Sequence, residues 1–185
     1  MLIIGITGTL GAGKGTIVEY LVNHKKFTHY SVRSFLIEEI EKRKMPVNRD
    51  SMVIVANELR AKHSPSYVTD QLYFKALVSE ENCVIESIRT PGEVDSLREK
   101  GNFFLFAIDA PSPLRFERII LRNSETDNIN YDTFLQNEQR EMNTSDPTKQ
   151  NLRKCIEMAD YVFENSGTIE NLQLKVEEVL NQIDK

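Results

Sequence analysis

The sequence predicts an α/β fold with a parallel five-stranded sheet and helices on both of its faces. Apolar runs without period-two alternation, such as residues 2–6 and 103–109, are typical of strands that are buried on both faces. Stretches with helical spacing separate these runs, and this alternation is typical of a parallel sheet. A glycine-rich stretch, residues 8–16, joins the first strand to the first helix.

The elements follow one another along a chain that we expect to form a single domain, residues 1–185. The strands are predicted at residues 2–6, 28–31, 82–86, 103–109 and 161–164. Between them, helical patterns cover residues 17–22, 33–44, 51–62, about 66–78, about 91–100, about 113–122, 131–142, 151–158 and 168–183. Three consecutive helices within residues 31–80 exceed what a simple crossover needs. We expect this helical insertion to hold a second substrate, the acceptor, over the sheet edge.

Composition excludes several classes of protein. A hydrophobic fraction of 40% and a charged fraction of 28% are typical of a folded globular chain, not of a disordered one. No apolar run is long enough to span a bilayer, and the N-terminus lacks a basic region before its apolar run, so we expect no membrane anchor and a cytoplasmic location. The net charge of −5 argues against a nucleic-acid partner.

The glycine-rich stretch has the pattern of a phosphate-binding loop. Glycines let the backbone N–H groups approach phosphate oxygens, and the following helix directs its positive dipole end to the same place. Lys14 adds a charge for the β- and γ-phosphates of a nucleotide, and Thr16 offers a hydroxyl. The predicted nucleotide-binding residues are Gly8, Gly11, Ala12, Gly13, Lys14, Gly15 and Thr16.

Gly15 stands where the usual pattern has the hydroxyl residue that follows the lysine. We therefore expect Mg²⁺ to be held mainly by ATP phosphates and water. Glu86, at the end of the third strand in chain order, is the candidate indirect metal ligand, and it is equally suited to orienting an acceptor. Arg89, three residues later, has the donors to hold a phosphate. The alternatives are a carboxylate at a helix start and a surface arginine.

A basic helix face and the polar stretch after it predict a lid over residues 115–145. Arg115, Arg118 and Arg122 are spaced at i, i+3 and i+7, which places them near one helix face. Arginines on a closing lid neutralise a migrating phosphoryl group, so Arg118 and Arg122 are assigned to catalysis together with Lys14. A solvated basic helix face is the alternative. Arg140 either reaches back to the same phosphates or forms a surface salt bridge with a neighbour such as Glu141.

Two further arginines, Arg33 and Arg60, lie in the helical insertion and are candidates for the acceptor phosphate. Each is alternatively a solvated helix residue. Asn165 lies in a strand-to-helix turn that could read a base edge of the nucleotide, although capping of the last helix by Thr168 also accounts for this turn.

These segments resemble a group of phosphate-loop kinases. The loop Gly8–Thr16 resembles that of adenylate kinases. Segments 87–94, 115–122 and 159–170 resemble archaeal adenylate-kinase-related proteins, dephospho-coenzyme A kinase-like domains and kinase-like modules fused to deoxycytidylate deaminases. The resemblance implies ATP and Mg²⁺ as cofactors, Arg89 as the acceptor-binding arginine, and Arg118 and Arg122 as lid arginines. It leaves open a homodimer or a deaminase partner.

The same resemblance leaves the acceptor open, because the Asp-x-x-Arg element of adenylate kinases is missing from residues 31–37. The first hypothesis is transfer of the γ-phosphoryl group of ATP to a nucleoside or deoxynucleoside monophosphate. The second has dephospho-coenzyme A as the acceptor, with Glu86 as its base. The third is a nucleotide-binding sensor or an ATPase partner module without a small-molecule acceptor.

Overall fold

A computed structural model describes residues 1–123 and 129–183 and confirms the predicted α/β fold. Its sheet has five strands in the order β2-β3-β1-β4-β5, and each neighbouring pair is parallel. The strands are β1 (Ile3–Gly8), β2 (Thr28–Ser31), β3 (Cys83–Glu86), β4 (Phe103–Asp109) and β5 (Tyr161–Glu164). All five predicted strands are present.

Helices connect the strands and cover the sheet. They are α1 (Lys14–Lys25), α2 (Val32–Lys42), α3 (Arg49–Lys62), α4 (Tyr67–Ser79), α5 (Pro91–Glu99), α6 (Ser112–Arg122), α7 (Tyr131–Met142), α8 (Leu152–Glu157) and α9 (Ile169–Ile183). The predicted run of three helices between β2 and β3 is formed by α2, α3 and α4. Helix α2 ends at Lys42, before the predicted end, because Lys44 adopts a left-handed conformation with φ of 57°.

The strand register places the predicted functional ends at one edge of the sheet. Ile6 of β1 lies opposite Glu86 of β3 and Phe106 of β4, so β3 ends beside the phosphate loop. Ser31 at the end of β2 in turn lies opposite Glu86. Ligands of open parallel sheets bind beyond these carboxyl ends, where the order of strands reverses.

Two apolar clusters pack against opposite faces of the sheet. One contains Ile3 and side chains from α2 to α5, and the other contains Ile4 and Ile6 with side chains of α1 and α9. Gly5 belongs to the first face, where a Cβ would lie 2.6 Å from both the Ile88 side chain and the Phe103 ring. The strands are therefore buried on both sides, as their apolar composition predicts.

The predicted lid is described only in part. Residues 124–128, which carry most of its polar stretch, lie outside the described residues. Helices α6 and α7 flank that stretch, and Phe116 of α6 packs against Tyr131 and Phe134 of α7. Across the ranges that the structure describes, every helix is too short or too polar to cross a bilayer.

Candidate active site

The phosphate loop leaves β1 at Gly8 and enters α1 at Lys14. Gly8 has φ of 137°, and a Cβ there would lie 2.0 Å from the carbonyl oxygen of Ile108 in β4. Gly13, which precedes α1, has φ of 102° and no side chain that could cap the helix. The first N–H groups of α1 therefore face the loop without a side-chain cap, which is the arrangement that favours an anion.

Lys14 is folded back over its own loop. Its Nζ donates to the carbonyl oxygens of Gly8 at 2.9 Å and Thr9 at 2.7 Å. An ammonium group has three donors, so one remains for a ligand. Burial, and after it the charge of Arg89, lowers the pKa of Lys14 to about 7. A nearby anion favours the charged form of the amine, so nucleotide phosphates would raise this pKa again.

Asn165 binds the phosphate loop through its side chain. It follows β5, and its Nδ2 donates to the carbonyl oxygen of Ala12 at 2.8 Å. This contact needs a glycine next in the loop, because a Cβ on Gly13 would lie 2.3 Å from the same nitrogen. Sequence reasoning predicted a role for Asn165 in binding the nucleotide, and the structure gives its side chain a contact with the loop itself.

Two of the predicted lid arginines line the same cavity as the loop. Arg118 donates from one terminal nitrogen to the carbonyl oxygen of Asn165 at 2.9 Å, and its other terminal nitrogen, Nη1, is buried without a hydrogen-bond partner in the described chain. Arg122 lines the cavity, and its charge contributes to the lowered pKa of Lys14. Both side chains are therefore placed to act on a nucleotide.

Arg115 has a different position from its two helix neighbours. It is buried, forms an ion pair with Glu138 of α7, and stacks over the Phe134 ring with 5.3 Å between its Cζ and the ring centroid. It also donates to the carbonyl oxygen of Leu10 in the loop at 3.2 Å. These contacts join α6, α7 and the phosphate loop, so Arg115 fixes the position of the loop relative to these two helices.

Two cavities meet above the sheet edge. The larger, of about 540 Å³, is lined by the phosphate loop, Glu86, Arg118 and Arg122. The smaller, of about 110 Å³, lies between α2 and α3. Both cavities are lined by Arg33, Arg49, Ser87 and Arg89. A ligand in the smaller cavity would therefore face a nucleotide in the larger one across these arginines.

A buried carboxylate joins two of these arginines. Glu141 of α7 forms ion pairs with Arg49, at 2.5 Å, and with Arg89. Arg89 also donates to Oε1 of Gln150 at 3.1 Å. Burial acts to raise the pKa of Glu141, but the charges of Arg89 and Arg49 outweigh it and hold that pKa below its ordinary value. The carboxylate is therefore ionised at neutral pH.

Glu86 lines the larger cavity at the end of β3, beside the end of β2. Its Oε1 accepts a hydrogen bond from Ser31 Oγ at 3.0 Å and lies 3.8 Å from His29 Nε2. Burial acts to raise the pKa of Glu86, but contacts with His29 and Ser31 and the charge of Lys14 hold it below its ordinary value. An ionised carboxylate with one oxygen outside these contacts fits indirect binding of Mg²⁺ through water.

Arg60 lies deeper than the other predicted acceptor residues. Only 2% of it is exposed, and its Nε and one terminal nitrogen donate to Oε1 of Glu93, at 3.2 and 2.8 Å. Its other terminal nitrogen, Nη1, is buried without a partner in the described chain. The alternative of a solvated helix residue is therefore wrong for Arg60, which lines the smaller cavity.

Arg140 is the predicted site residue that the structure does not bring to the site. It lies on the surface and contacts Asp50 at 3.4 Å, and it lines neither cavity. Its position on α7 turns it away from the phosphate loop, whereas the next residue, Glu141, points inward. Of the two readings that the sequence allowed, the surface ion pair is the one observed, with Asp50 in place of Glu141.

Three residues of the junction were missed by sequence reasoning: Arg49, Glu141 and Gln150. Arg49 lies outside the helix predicted at residues 51–62, and Glu141 was expected only as a surface partner of Arg140. The ion pair between Arg49 and Glu141 spans 92 positions, so no local pattern signals it.

Comparisons with known proteins agree with this geometry. A family model described as an AAA domain, AAA_18, matches residues 4–146. The UPF0200 protein MmarC7_0527 of Methanococcus maripaludis is 30% identical, over 100% of this chain and 99% of that protein. The chain belongs to the AAA domain family and to the UPF0200 family. The UPF0200 protein of Sulfurisphaera tokodaii is 26% identical over 98% of this chain and 97% of its own length.

Solved structures show the same fold at low identity. TT1252 from Thermus thermophilus aligns over 98% of this chain and 97% of its own, with a TM-score of 0.60 and 19% identity. A gluconokinase from Sinorhizobium meliloti 1021 covers 97% of this UPF0200 chain and 95% of its own, with a TM-score of 0.56 and 13% identity. The predicted phosphate-loop kinase fold is thereby confirmed.

Proposed function

We propose that this UPF0200 protein transfers the γ-phosphoryl group of ATP to a nucleoside or deoxynucleoside monophosphate. One observation carries the proposal. Where the two cavities meet, both are lined by the guanidinium groups of Arg33, Arg49 and Arg89. Glu141 pairs with Arg49 and Arg89, so its one negative charge against these three positive charges leaves a surplus of two. Within the described residues, Arg33 has no carboxylate within 4.0 Å. A phosphate monoester carries roughly this charge with opposite sign.

The larger cavity supplies the donor side of the reaction. The uncapped N-terminus of α1 and Lys14 bind the β- and γ-phosphates, and Arg118 and Arg122 neutralise the charge that develops on the migrating group. Since phosphoryl transfer depends mostly on positioning and charge stabilisation, this set of cations is chemically sufficient. Thr16 and Glu86 would help to hold Mg²⁺ through phosphates and water, and the metal would neutralise further phosphate charge.

Glu86 favours a phosphorylated acceptor over an alcohol. A hydroxyl acceptor, such as that of dephospho-coenzyme A, benefits from a base. The low pKa of Glu86 makes this carboxylate a weak base at neutral pH. The attacking oxygen of a monophosphate is already ionised and needs none. The role of Glu86 in this proposal is therefore to orient bound water or the acceptor.

ADP release measured with a panel of acceptors tests the proposal. The purified protein is mixed with ATP, Mg²⁺ and one nucleoside monophosphate, one deoxynucleoside monophosphate or dephospho-coenzyme A at a time, against a blank without acceptor. We expect strong stimulation by a monophosphate and loss of that stimulation in Arg89→Ala. Stimulation by dephospho-coenzyme A alone would favour that acceptor, and a rate equal to the blank throughout would favour a sensor or ATPase partner.

A further inference from the structure

The smaller cavity has a polar mouth, apolar walls and a charged inner end. Its mouth is formed by the arginines that it shares with the larger cavity. Beyond them, Leu36 of α2 and Met52, Val53 and Ala56 of α3 provide apolar walls. Arg60 lines the smaller cavity and not the larger one, and with 2% exposed it is the most deeply buried charged residue of that lining, which makes it the inner end of the cavity.

The order of these surfaces along the cavity matches the order of phosphate and base in a nucleotide. A phosphate suits the arginines at the mouth, and a flat ring suits the apolar walls. The cavity volume of about 110 Å³ is on the scale of one aromatic ring; an engineered cavity of roughly 150 Å³ in another protein takes a benzene molecule. The smaller cavity therefore has the size of a single ring of a base.

Arg60 has one nitrogen left for a ligand at the inner end of the cavity. The Glu93 carboxylate, which is fully buried, takes the edge formed by Nε and one terminal nitrogen of Arg60. Nη1 is the nitrogen that has no partner in the described chain. A guanidinium is always protonated and can only donate, so its partner must be a hydrogen-bond acceptor. A buried donor without a partner is unfavourable, so this position favours a ligand that supplies an acceptor.

We propose that the smaller cavity binds the base of the acceptor and that Arg60 donates to a ring carbonyl oxygen there. The preferred acceptor is then a monophosphate with a keto pyrimidine, of the uracil or thymine type. An exocyclic amino group at the same position, as in cytosine, would place two donors against each other. The inference rests on the proposed function for the identity of the ligand, but it concerns binding and does not require turnover.

Equilibrium binding of UMP, dTMP and CMP, measured by titration calorimetry without ATP, tests the inference separately from catalysis. We expect UMP and dTMP to bind about 10²-fold more tightly than CMP, because a site with a buried donor rejects a ligand that leaves the donor unpaired. IMP and AMP provide a second comparison between a keto base and an amino base, with a larger ring. Equal affinity for UMP and CMP, tighter binding of CMP, or no binding of any of them would overturn the inference.

Two variants assign the discrimination to Arg60. Arg60→Lys keeps a charge for Glu93 but loses the planar fork, and Arg60→Met combined with Glu93→Gln removes both buried charges together. We expect the preference for UMP over CMP to fall to below about threefold in both, with ATP affinity unchanged. Arg43→Lys, on the exposed surface of the same helical region, is the matched control. A preference that persists in both variants would refute the role of Arg60.

Failure of the proposed function gives a different result. If UMP binds selectively through Arg60 but no monophosphate raises ADP release above the blank, the base-binding site stands and phosphoryl transfer does not. If a monophosphate is phosphorylated without any distinction between keto and amino bases, the kinase stands and the inference about Arg60 is wrong.

Discussion

The larger cavity with the phosphate loop, which is the proposed donor end, and the smaller cavity, which is the proposed acceptor end, are built in different ways. At the donor end, backbone geometry dominates: Gly8 and Gly13 have positive φ, and Lys14 binds carbonyl oxygens five and six positions away. At the acceptor end, side chains from distant parts of the chain form ion pairs, and Arg89 meets Glu141 across 52 positions. The phosphate loop of the donor end is thus encoded within nine consecutive residues, Gly8–Thr16. Asn165 and the arginines of α6 reach this loop from other elements, and the acceptor end depends throughout on the complete fold.

This difference indicates how each end is expected to respond to change. A backbone site fails when one glycine acquires a side chain or when the single lysine is lost. A network of ion pairs changes its charge and its selectivity while the fold persists. Substitutions at the two ends should therefore differ in kind, and the following measurements test that contrast, beginning with the largest expected effect.

Replacing Lys14 tests whether the donor end depends on one side chain. We expect Lys14→Ala to lower kcat by about 10²–10³-fold or more, because an electrostatic donor to the transition state is removed. The thermal midpoint should change little, since the hydrogen bonds of Lys14 within the described chain go to carbonyl oxygens of its own loop. Lys154→Ala, an exposed lysine on α8, is the control. Full activity in Lys14→Ala would refute the donor site.

A pair of glycines in the loop provides the next test. Gly13→Ala places a Cβ 2.3 Å from Asn165 Nδ2 at φ of 102°, whereas a Cβ on Gly15 meets nothing within 4 Å. We expect Gly13→Ala to lower the free energy of unfolding by about 2–3 kcal/mol, from backbone strain and the lost contact. Gly15→Ala should stay within about 1 kcal/mol of the wild type.

Denaturant unfolding of both variants measures this difference. Equal losses in the two variants would show that helix propensity, and not the contact between Asn165 and the loop, sets the stability of the donor end. The comparison would then no longer rest on backbone geometry at Gly13.

The contrast between the two ends also explains what the sequence could predict. The strands, the phosphate loop and the order of helices follow from local patterns, and all of them are present. Arg60 was predicted to bind the acceptor, but its burial against Glu93 was not, because the pair spans 33 positions. The inward position of Glu141 was missed since adjacent charged residues on a helix look alike until packing separates their faces.

Removing the carboxylate at the junction tests the acceptor end. We expect Glu141→Gln to lower the KM for the acceptor roughly 5- to 10-fold, because Arg49 and Arg89 lose a competing anion. The KM for ATP should change less than twofold. Glu58→Gln, which alters the surface pair with Arg43, is the matched control. A higher acceptor KM would instead show that Glu141 positions the arginines for the phosphate.

The pH dependence of stability gives Glu141 an independent readout. Its folded pKa lies below the ordinary value, so its ion pairs contribute stability above pH 4.5, and this contribution is lost as the pH falls through the folded pKa. We expect the wild type to lose more unfolding free energy than Glu141→Gln between pH 6 and pH 4. Parallel curves would mean that Glu141 titrates alike in the folded and unfolded chain.

The smallest expected effect is the uptake of a proton by Lys14 when ATP binds. This uptake tests whether the donor and acceptor ends are electrostatically coupled. With a pKa of about 7, Lys14 is mostly neutral at pH 8 in the free protein, and nucleotide phosphates favour its charged form. ATP binding should then take up about 0.9 proton at pH 8 and about 0.1 at pH 6. Titration calorimetry in two buffers of different ionisation enthalpy measures this uptake, and Lys14→Arg, which stays charged, should show none at either pH.

Because Arg89 is the charge that lowers the pKa of Lys14 most, an acceptor phosphate bound at Arg89 should reduce the proton uptake at pH 8. An uptake that ignores the acceptor would mean that the donor and acceptor ends act independently.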